Sequence, residues 1–214
     1  MKYKSIYWIM LKPLINKYLK KHYDKKTKRL IFRNAKAEYK RLLNKADDIG
    51  SNNPMSSNIY FSLLFVSFLT GNREIFTKKT LEEMMESIFS IFNSPLVKKL
   101  NRIDLNKESD MNKFKNRILR NSAWADKHRD KHPETWEFNF EDKHKDGCYY
   151  YFTKCPIAKF FKDNNMEDLT HLFCDLDYKT FAAVKGRLIR NCTLANGDDM
   201  CDFWVVGDKL NCPQ

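Results

Sequence analysis

The spacing of apolar residues changes along the chain and divides it into a helical part and a mixed part. Over the first 130 residues apolar positions recur with helical spacing, interrupted by the polar break at 51–54. Near residue 135 the period becomes two, because Trp136, Phe138 and Phe140 alternate with polar residues. Such alternation is typical of a half-buried strand. The change of period predicts an α+β protein with a helical N-terminal half.

The helical half contains five predicted helices, at 3–22, 28–45, 56–70, 81–92 and 110–126. Gly71 is expected to close the third helix, Thr80 to cap the fourth and Pro95 to end it. Residues 96–106 are ambiguous. We expect a basic helical arm at 1–50, a helical region at 51–130 and an α+β module at 131–214. The module and the preceding helices are expected to form one compact domain.

The module has the predicted order ββ-αα-ββ, which indicates a small antiparallel sheet packed on helices. The strands are predicted at 135–142, 147–153, 187–194 and 200–206. The helical segments are predicted at 156–164 and 166–184, with a break between Cys174 and Asp177. In the first hairpin, apolar matching favours a three-residue loop, 145–147, which sets Phe140 opposite Phe152.

The second hairpin is marked by Asn196-Gly197, a strong signal for a two-residue turn. That turn pairs Ile189 with Trp204, Arg190 with Phe203, and Cys192 with Cys201. Arg190 and Cys201 would then share one face of the sheet. Thr193 and Asp202 would share the other face, where structural hydrogen bonds are the expected use.

The formal net charge of +12 is carried by one end of the chain. Residues 1–45 contain fifteen Lys or Arg and only two acids, Asp24 and Glu38, whereas the remainder is close to neutral. A strongly basic segment suggests affinity for nucleic acid or an anionic surface, although such runs are commonly only solvated.

The apolar runs are too short for export or membrane crossing. Ile6 to Leu11 is shorter than the apolar region of a signal peptide, and Ile59 to Leu69 is well below the roughly 20 residues of a transmembrane helix. We therefore expect a cytoplasmic protein without a transmembrane segment. Its six cysteines are then expected to be thiols, thiolates or metal ligands.

Two positions stand out chemically. Cys155 precedes Pro156, which favours the first position of a helix, so Cys155 is expected at a helix N-terminus where its thiol pKa is lowered. Cys174 and Asp177 are three residues apart with His171 one turn earlier, which places them near one helix face. Asp177 could instead simply cap the following helical segment.

Read together, these fragments resemble the L-2-amino-thiazoline-4-carboxylic acid hydrolase family over about residues 150–206. The resemblance rests on Cys155-Pro156, Phe173-Cys174 with Asp177, Arg190-x-x-Thr193-Leu194, Gly197 and Cys201-Asp202-Phe203. It implies a hydrolase that acts on C–N bonds of a cyclic amidine and opens a 2-amino-thiazoline-4-carboxylate-like ring to a carbamoyl-cysteine.

The resemblance also implies roles for single residues. Catalysis would involve Cys155, Cys174, Cys201 and Asp177, and binding of a substrate that carries a carboxylate would involve Arg190, Thr193 and Asp202. Asp177 would pair with the amidine, and Arg190 would hold the carboxylate. Water would be delivered either by a thiolate or by a divalent metal held at Cys155, Cys174, Cys201 and His171.

Two functions of other classes stay open. A non-catalytic sensor-type domain that binds a small molecule or a metal would use the same pocket without chemistry. A protein that binds nucleic acid or an anionic surface would use the basic arm. The sequence leaves the oligomeric state open.

Overall fold

The computed structural model describes residues 1–92, 94, 101–141 and 143–210. The chain forms two compact units, Met1–Ile91 and Phe92–Gln214. The first is helical, and the second combines helices with a four-stranded antiparallel sheet. The predicted α+β fold, with its helices concentrated in the N-terminal half, is confirmed.

The first unit is built around a helix that is apolar on all sides. Its helices are α1 Ser5–His22, α2 Lys25–Lys45, α3 Ser56–Thr70 and α4 Lys78–Phe92. Because α3 has no polar face, it is buried around most of its circumference, with α1 and α2 packed against it. Trp8 of α1 stacks on Phe68 of α3 with ring centroids 5.9 Å apart. Gly71 closes α3 as predicted.

Two helices of this unit begin three residues earlier than predicted, because a side chain caps each of them further upstream. Asp24 caps α2, and its carboxylate accepts hydrogen bonds from the backbone N–H groups of Lys26 at 2.7 Å and Thr27 at 3.1 Å. At α4 the hydroxyl of Thr77, and not that of Thr80, is the cap oxygen, and it accepts from the N–H of Thr80 at 3.2 Å. Pro95 lies outside the described residues, as do 96–100.

The second unit holds the sheet. Its helices are α5 Glu108–His128, α6 Pro156–Asp163, α7 Thr170–Cys174 and α8 Leu176–Ala182. Its strands are β1 Glu137–Asn139, β2 Cys148–Lys154, β3 Gly186–Ile189 and β4 Cys201–Gly207. The strand order is β1-β2-β4-β3, and every neighbouring pair is antiparallel. The last strand in sequence therefore lies inside the sheet.

The first hairpin keeps the predicted face but not the predicted pairing. Phe138, rather than Phe140, lies opposite Phe152, and the connection runs from 140 to 147 instead of over three residues. A shift of two residues keeps each side chain on its face. Phe138 is thereby 7% exposed, whereas Phe140, outside the strand, is 43% exposed.

The second hairpin keeps the predicted register and loses the predicted turn. Ile189 lies opposite Trp204 as expected, but β3 ends there and residues 190–200 leave the ladder. A short 3₁₀ turn, Leu194–Asn196, ends at Gly197 with φ +88°. The prediction of a two-residue turn was wrong. The backbone N–H groups of Asn191 and Cys192 donate hydrogen bonds to the Asp202 carboxylate, so the strand ladder does not continue through them.

Searched over the described ranges, the chain contains no helix long and apolar enough to cross a membrane.

Two glycines with positive φ allow a matched test of the sheet. Gly147 has φ +75°, and a Cβ there would overlap the carbonyl oxygen of Val205; Gly197 has φ +88°, with nothing within 4 Å of a Cβ. Both alanine variants suffer the same backbone strain, about 1–2 kcal/mol. We expect Gly147→Ala to lower the free energy of unfolding by about 1–3 kcal/mol more than Gly197→Ala, measured by urea denaturation. Equal losses would contradict the close packing of Gly147 on β4.

Candidate functional site

Cys155 occupies the position that its sequence predicts. It is the N-cap residue of α6, with Pro156 in the first turn. Its sulfur is approached by the backbone N–H groups of Ile157 and Ala158, which favour a negative charge there. The thiol is half-buried, and the charges of Cys201 and Asp177 act on it. Cys155 is therefore close enough to Cys201 and Asp177 for their charges to act on it, and these three residues form one cluster with Cys174 and Arg190.

Cys174 and Asp177 lie on either side of the predicted break in the second helical segment. α7 ends at Cys174, and α8 begins at Leu176, so Asp177 lies in the first turn of α8. The residue at the N-cap position of α8 is Asp175, so Asp177 is not the cap of this helix. Asp177 turns instead towards Arg190.

Arg190 joins the elements of the cluster. Its Nη2 donates to Oδ2 of Asp177 at 2.8 Å, its Nη1 to the carbonyl of Cys174 at 3.2 Å, and its Nε to the carbonyl of Asp202 at 3.1 Å. The guanidinium carbon also lies 4.0 Å from the ring centroid of Phe203, a cation–π distance. The Arg190 side chain is only 2% exposed, whereas that of its partner Asp177 is 39% exposed. A ligand can therefore reach Asp177 more readily than Arg190.

Cys201 has the environment of a thiolate. Its sulfur accepts a hydrogen bond from the backbone N–H of Leu194 at 3.2 Å. The thiol of Cys174 donates a second hydrogen bond to this sulfur. The positive charge of Arg190 also favours a negative charge on Cys201. These interactions outweigh burial and lower the pKa of Cys201 below its usual value, with the hydrogen bond from Cys174 as the largest cause. The hydrogen bond to Cys201 keeps the thiol proton on Cys174. This bond is the largest cause that raises the pKa of Cys174, and burial is the next.

The expectation that Cys155 has a lowered pKa is wrong. Burial raises the pKa of Cys155 to about 11, and the two N–H groups of the helix N-terminus oppose this shift only in part. Near neutral pH Cys155 is therefore a thiol, and Cys201 is the member of the cluster whose pKa is lowered. Burial also raises the pKa of Asp177, and the Arg190 guanidinium opposes it. The Asp177 side chain keeps solvent contact and its ion pair with Arg190.

Thr193 and Asp202 lie beside the cluster and serve the backbone. The Asp202 carboxylate accepts from the N–H of Asn191 and the N–H of Cys192, at 2.9 and 2.8 Å. The Thr193 hydroxyl caps the 3₁₀ turn by accepting from the N–H of Asn196 at 3.2 Å. Both side chains thus shape the 190–200 connection that presents the N–H of Leu194 to Cys201.

His171 was proposed as a metal ligand with the three cysteines. It lies in the first turn of α7 and is half-buried. Over the described residues, no three His, Cys, Asp or Glu side chains form a group suited to hold a metal ion.

Sequence reasoning missed one side chain and one backbone group of this cluster. Tyr150 is 3% exposed, its ring stacks on Phe203 at 4.9 Å, and the charges of Asp177 and Arg190 act on its hydroxyl. Strand alternation could have indicated it, because β2 pairs Tyr150 with Phe203. The N–H of Leu194 left no sequence signal, since its position depends on the 3₁₀ turn.

The thiolate assignment can be tested by following thiolate ultraviolet absorbance against pH. We expect the absorbance that Cys201→Ser removes to appear at lower pH than that of an ordinary thiol, because the pKa of Cys201 is lowered. Cys148→Ser is the matched control: that thiol is also buried, and burial raises its pKa to about 11. Loss of the signal in Cys155→Ser but not in Cys201→Ser would contradict the assignment.

Comparison with known proteins connects this cluster to a family. A family model described as L-2-amino-thiazoline-4-carboxylic acid hydrolase matches residues 57–205, which include all the residues of the cluster. Searches of curated proteins and of solved structures found no match. The match covers more than half of the sequence and agrees with the resemblance in the motifs, and on this evidence the chain belongs to the L-2-amino-thiazoline-4-carboxylic acid hydrolase family.

Proposed function

We propose that the protein is a thiol-dependent hydrolase that opens a 2-amino-thiazoline-4-carboxylate-like cyclic amidine to a carbamoyl-cysteine. Family membership supports the class of reaction. The observation that carries the proposal is the sulfur of Cys201, which accepts hydrogen bonds from a backbone N–H and from Cys174 beside the Arg190–Asp177 ion pair. A stabilised thiolate next to a carboxylate suits attack on a cationic carbon centre.

The first step is addition to C2 of the ring. A protonated amidine is a planar cation, and the Asp177 carboxylate is the partner for its N–H groups. The Cys201 thiolate adds to C2, and the π electrons of the amidinium move onto nitrogen. The tetrahedral adduct then collapses with cleavage of the ring C2–N3 bond, so that the departing ring atom is N3.

Cys174 is suited to move the proton in this sequence. Its S–H already donates to the Cys201 sulfur, and its raised pKa keeps that proton in place. On ring opening it protonates the departing ring atom. Water then adds to C2, returns a proton to Cys174 and displaces the Cys201 thiolate as the carbamoyl group forms. Over the cycle one water is consumed, and the proton of the amidinium is released.

Arg190 is better suited to positioning than to holding the substrate carboxylate, the role that the resemblance implies. Its side chain is 2% exposed, and it donates to Asp177, to the Cys174 carbonyl and to the Asp202 carbonyl. A guanidinium held in this way fixes the carboxylate of Asp177 and stabilises the negative charge on Cys201.

Removal of the nucleophile tests the proposed function. We expect Cys201→Ser to lower kcat by about 10³-fold or more, measured as release of carbamoyl-cysteine from L-2-amino-thiazoline-4-carboxylate. The control is Cys148→Ser, which also removes a buried thiol. Cys148 lies at the first residue of β2, whereas the residue of β2 that pairs with Cys201 is Phe152, so this variant is expected to retain activity. If the wild-type protein binds the thiazoline and never turns it over, the sensor-type alternative replaces the hydrolase.

The two roles of Arg190 can be separated with a second substrate, the 2-aminothiazoline that lacks the carboxylate. If Arg190 positions Asp177 and Cys201, Arg190→Lys lowers kcat for both substrates by a similar factor, on the order of 10–100. If Arg190 holds the carboxylate, the variant raises KM for the carboxylated substrate and leaves the other unchanged. We expect the first result.

A further inference from the structure

We propose that helix α1 docks the protein onto an anionic lipid bilayer. The outward face of α1 begins with Ile6, Ile9 and Met10, which are 53%, 61% and 56% exposed. Their spacing places all three within two turns on one side of the helix. Isolated exposed apolar side chains are ordinary, but a contiguous group on one helix face marks an interaction surface.

The same face becomes basic in its second half. At 100° per residue, Lys17, Lys20 and Lys21 follow the apolar group on the outward side, and all three are exposed. The outward side of α2 adds further cations, with Arg29, Arg33, Lys36 and Lys40 exposed at helical spacing. The excess positive charge of the chain is thus concentrated on the helical unit that presents the apolar group.

The exposure of this group is a fixed property of the unit. The opposite side of α1, formed by Trp8, Leu11, Ile15, Tyr18 and Leu19, is buried in the core. The N-terminal amine donates to the carbonyls of Leu43 and Ala46, at 2.6 and 2.9 Å, and holds the start of the chain against α2. The helix therefore cannot rotate its apolar outward face inward without losing its core contacts.

A lipid surface accounts for both halves of the face. Interfacial helices bury apolar side chains at the acyl boundary, and their lysines reach the headgroups of anionic lipids. Nucleic acid would use the cations but would gain little from exposed isoleucines. A second copy docked through this face would bring like charges together.

The proposal is tested by sedimentation of the full chain with phosphatidylcholine vesicles, with and without phosphatidylserine. We expect binding only to the anionic vesicles, and a loss of about tenfold in partition coefficient on Ile9→Gln. Ile103→Gln is the matched control, because Ile103 is 47% exposed but lies in the other unit. We expect this control to leave the partition coefficient unchanged.

Charge variants form the second arm. The pair Lys17→Gln and Lys20→Gln is expected to weaken vesicle binding by about tenfold or more. The control pair, Lys127→Gln and Lys131→Gln, removes two exposed lysines from the second unit and should have little effect. Hydrolase activity on soluble substrate is expected to be unchanged in every variant, so this test is independent of the proposed function.

Three results would overturn the proposal. One is equal binding of Ile9→Gln and the wild type to anionic vesicles. Another is the absence of wild-type binding to anionic vesicles, whether or not the chain retains duplex DNA through Lys17 and Lys20. The third is a wild-type dimer in sedimentation velocity that Ile9→Gln converts to monomer, with no vesicle binding.

Discussion

The arrangement of the site depends on the burial of one cation. A guanidinium removed from water is costly unless its hydrogen bonds and charge are matched. Arg190 meets this requirement with acceptors from three elements: Asp177 in α8, the Cys174 carbonyl at the end of α7, and the Asp202 carbonyl in β4. The face of Phe203 covers the remaining side. One side chain thus fixes the short helices relative to the strand that bears Cys201.

The opposite pKa shifts of Cys155 and Cys201 follow from the balance between burial and local hydrogen-bond donors. At Cys155 the helix N-terminus provides donors, but burial is the larger effect and its pKa rises to about 11. At Cys201 a backbone N–H, a neighbouring thiol and a guanidinium act together and reverse the balance. The N-terminus of the eight-residue helix α6 is therefore insufficient by itself to lower the pKa of the half-buried Cys155 thiol.

Much of the module could be predicted from local signals. The break in the second helical segment, the N-cap position of Cys155 and the pairing of Ile189 with Trp204 all depend on residues close in sequence or on strand parity. The fold class followed from the change of apolar period near residue 135.

The errors in the predicted helix starts and in the second hairpin have one physical origin. In each case a side-chain oxygen accepts a hydrogen bond from a backbone N–H group. Asp24 and Thr77 begin helices earlier than the apolar pattern does, and Asp202 ends strand pairing at residue 189. The sequence indicated Arg190 and Asp177 separately but did not predict their ion pair. The two residues lie on different elements, and no periodic pattern in the sequence connects them. Such contacts depend on tertiary geometry, which local patterns do not specify.

In the tripeptide Cys201-Asp202-Phe203, neighbouring residues serve two different purposes: contact with the guanidinium of Arg190 and support of the backbone. The sulfur of Cys201 and the ring of Phe203 face the guanidinium cluster, whereas the Asp202 carboxylate holds the backbone of the preceding connection. A relative that kept Asp202 and Thr193 but replaced Cys201 would still build this connection while lacking the sulfur that we propose as the nucleophile. Within this motif, a change at the first or third residue would alter the cluster around Arg190, whereas a change at the middle residue would alter the backbone of the connection.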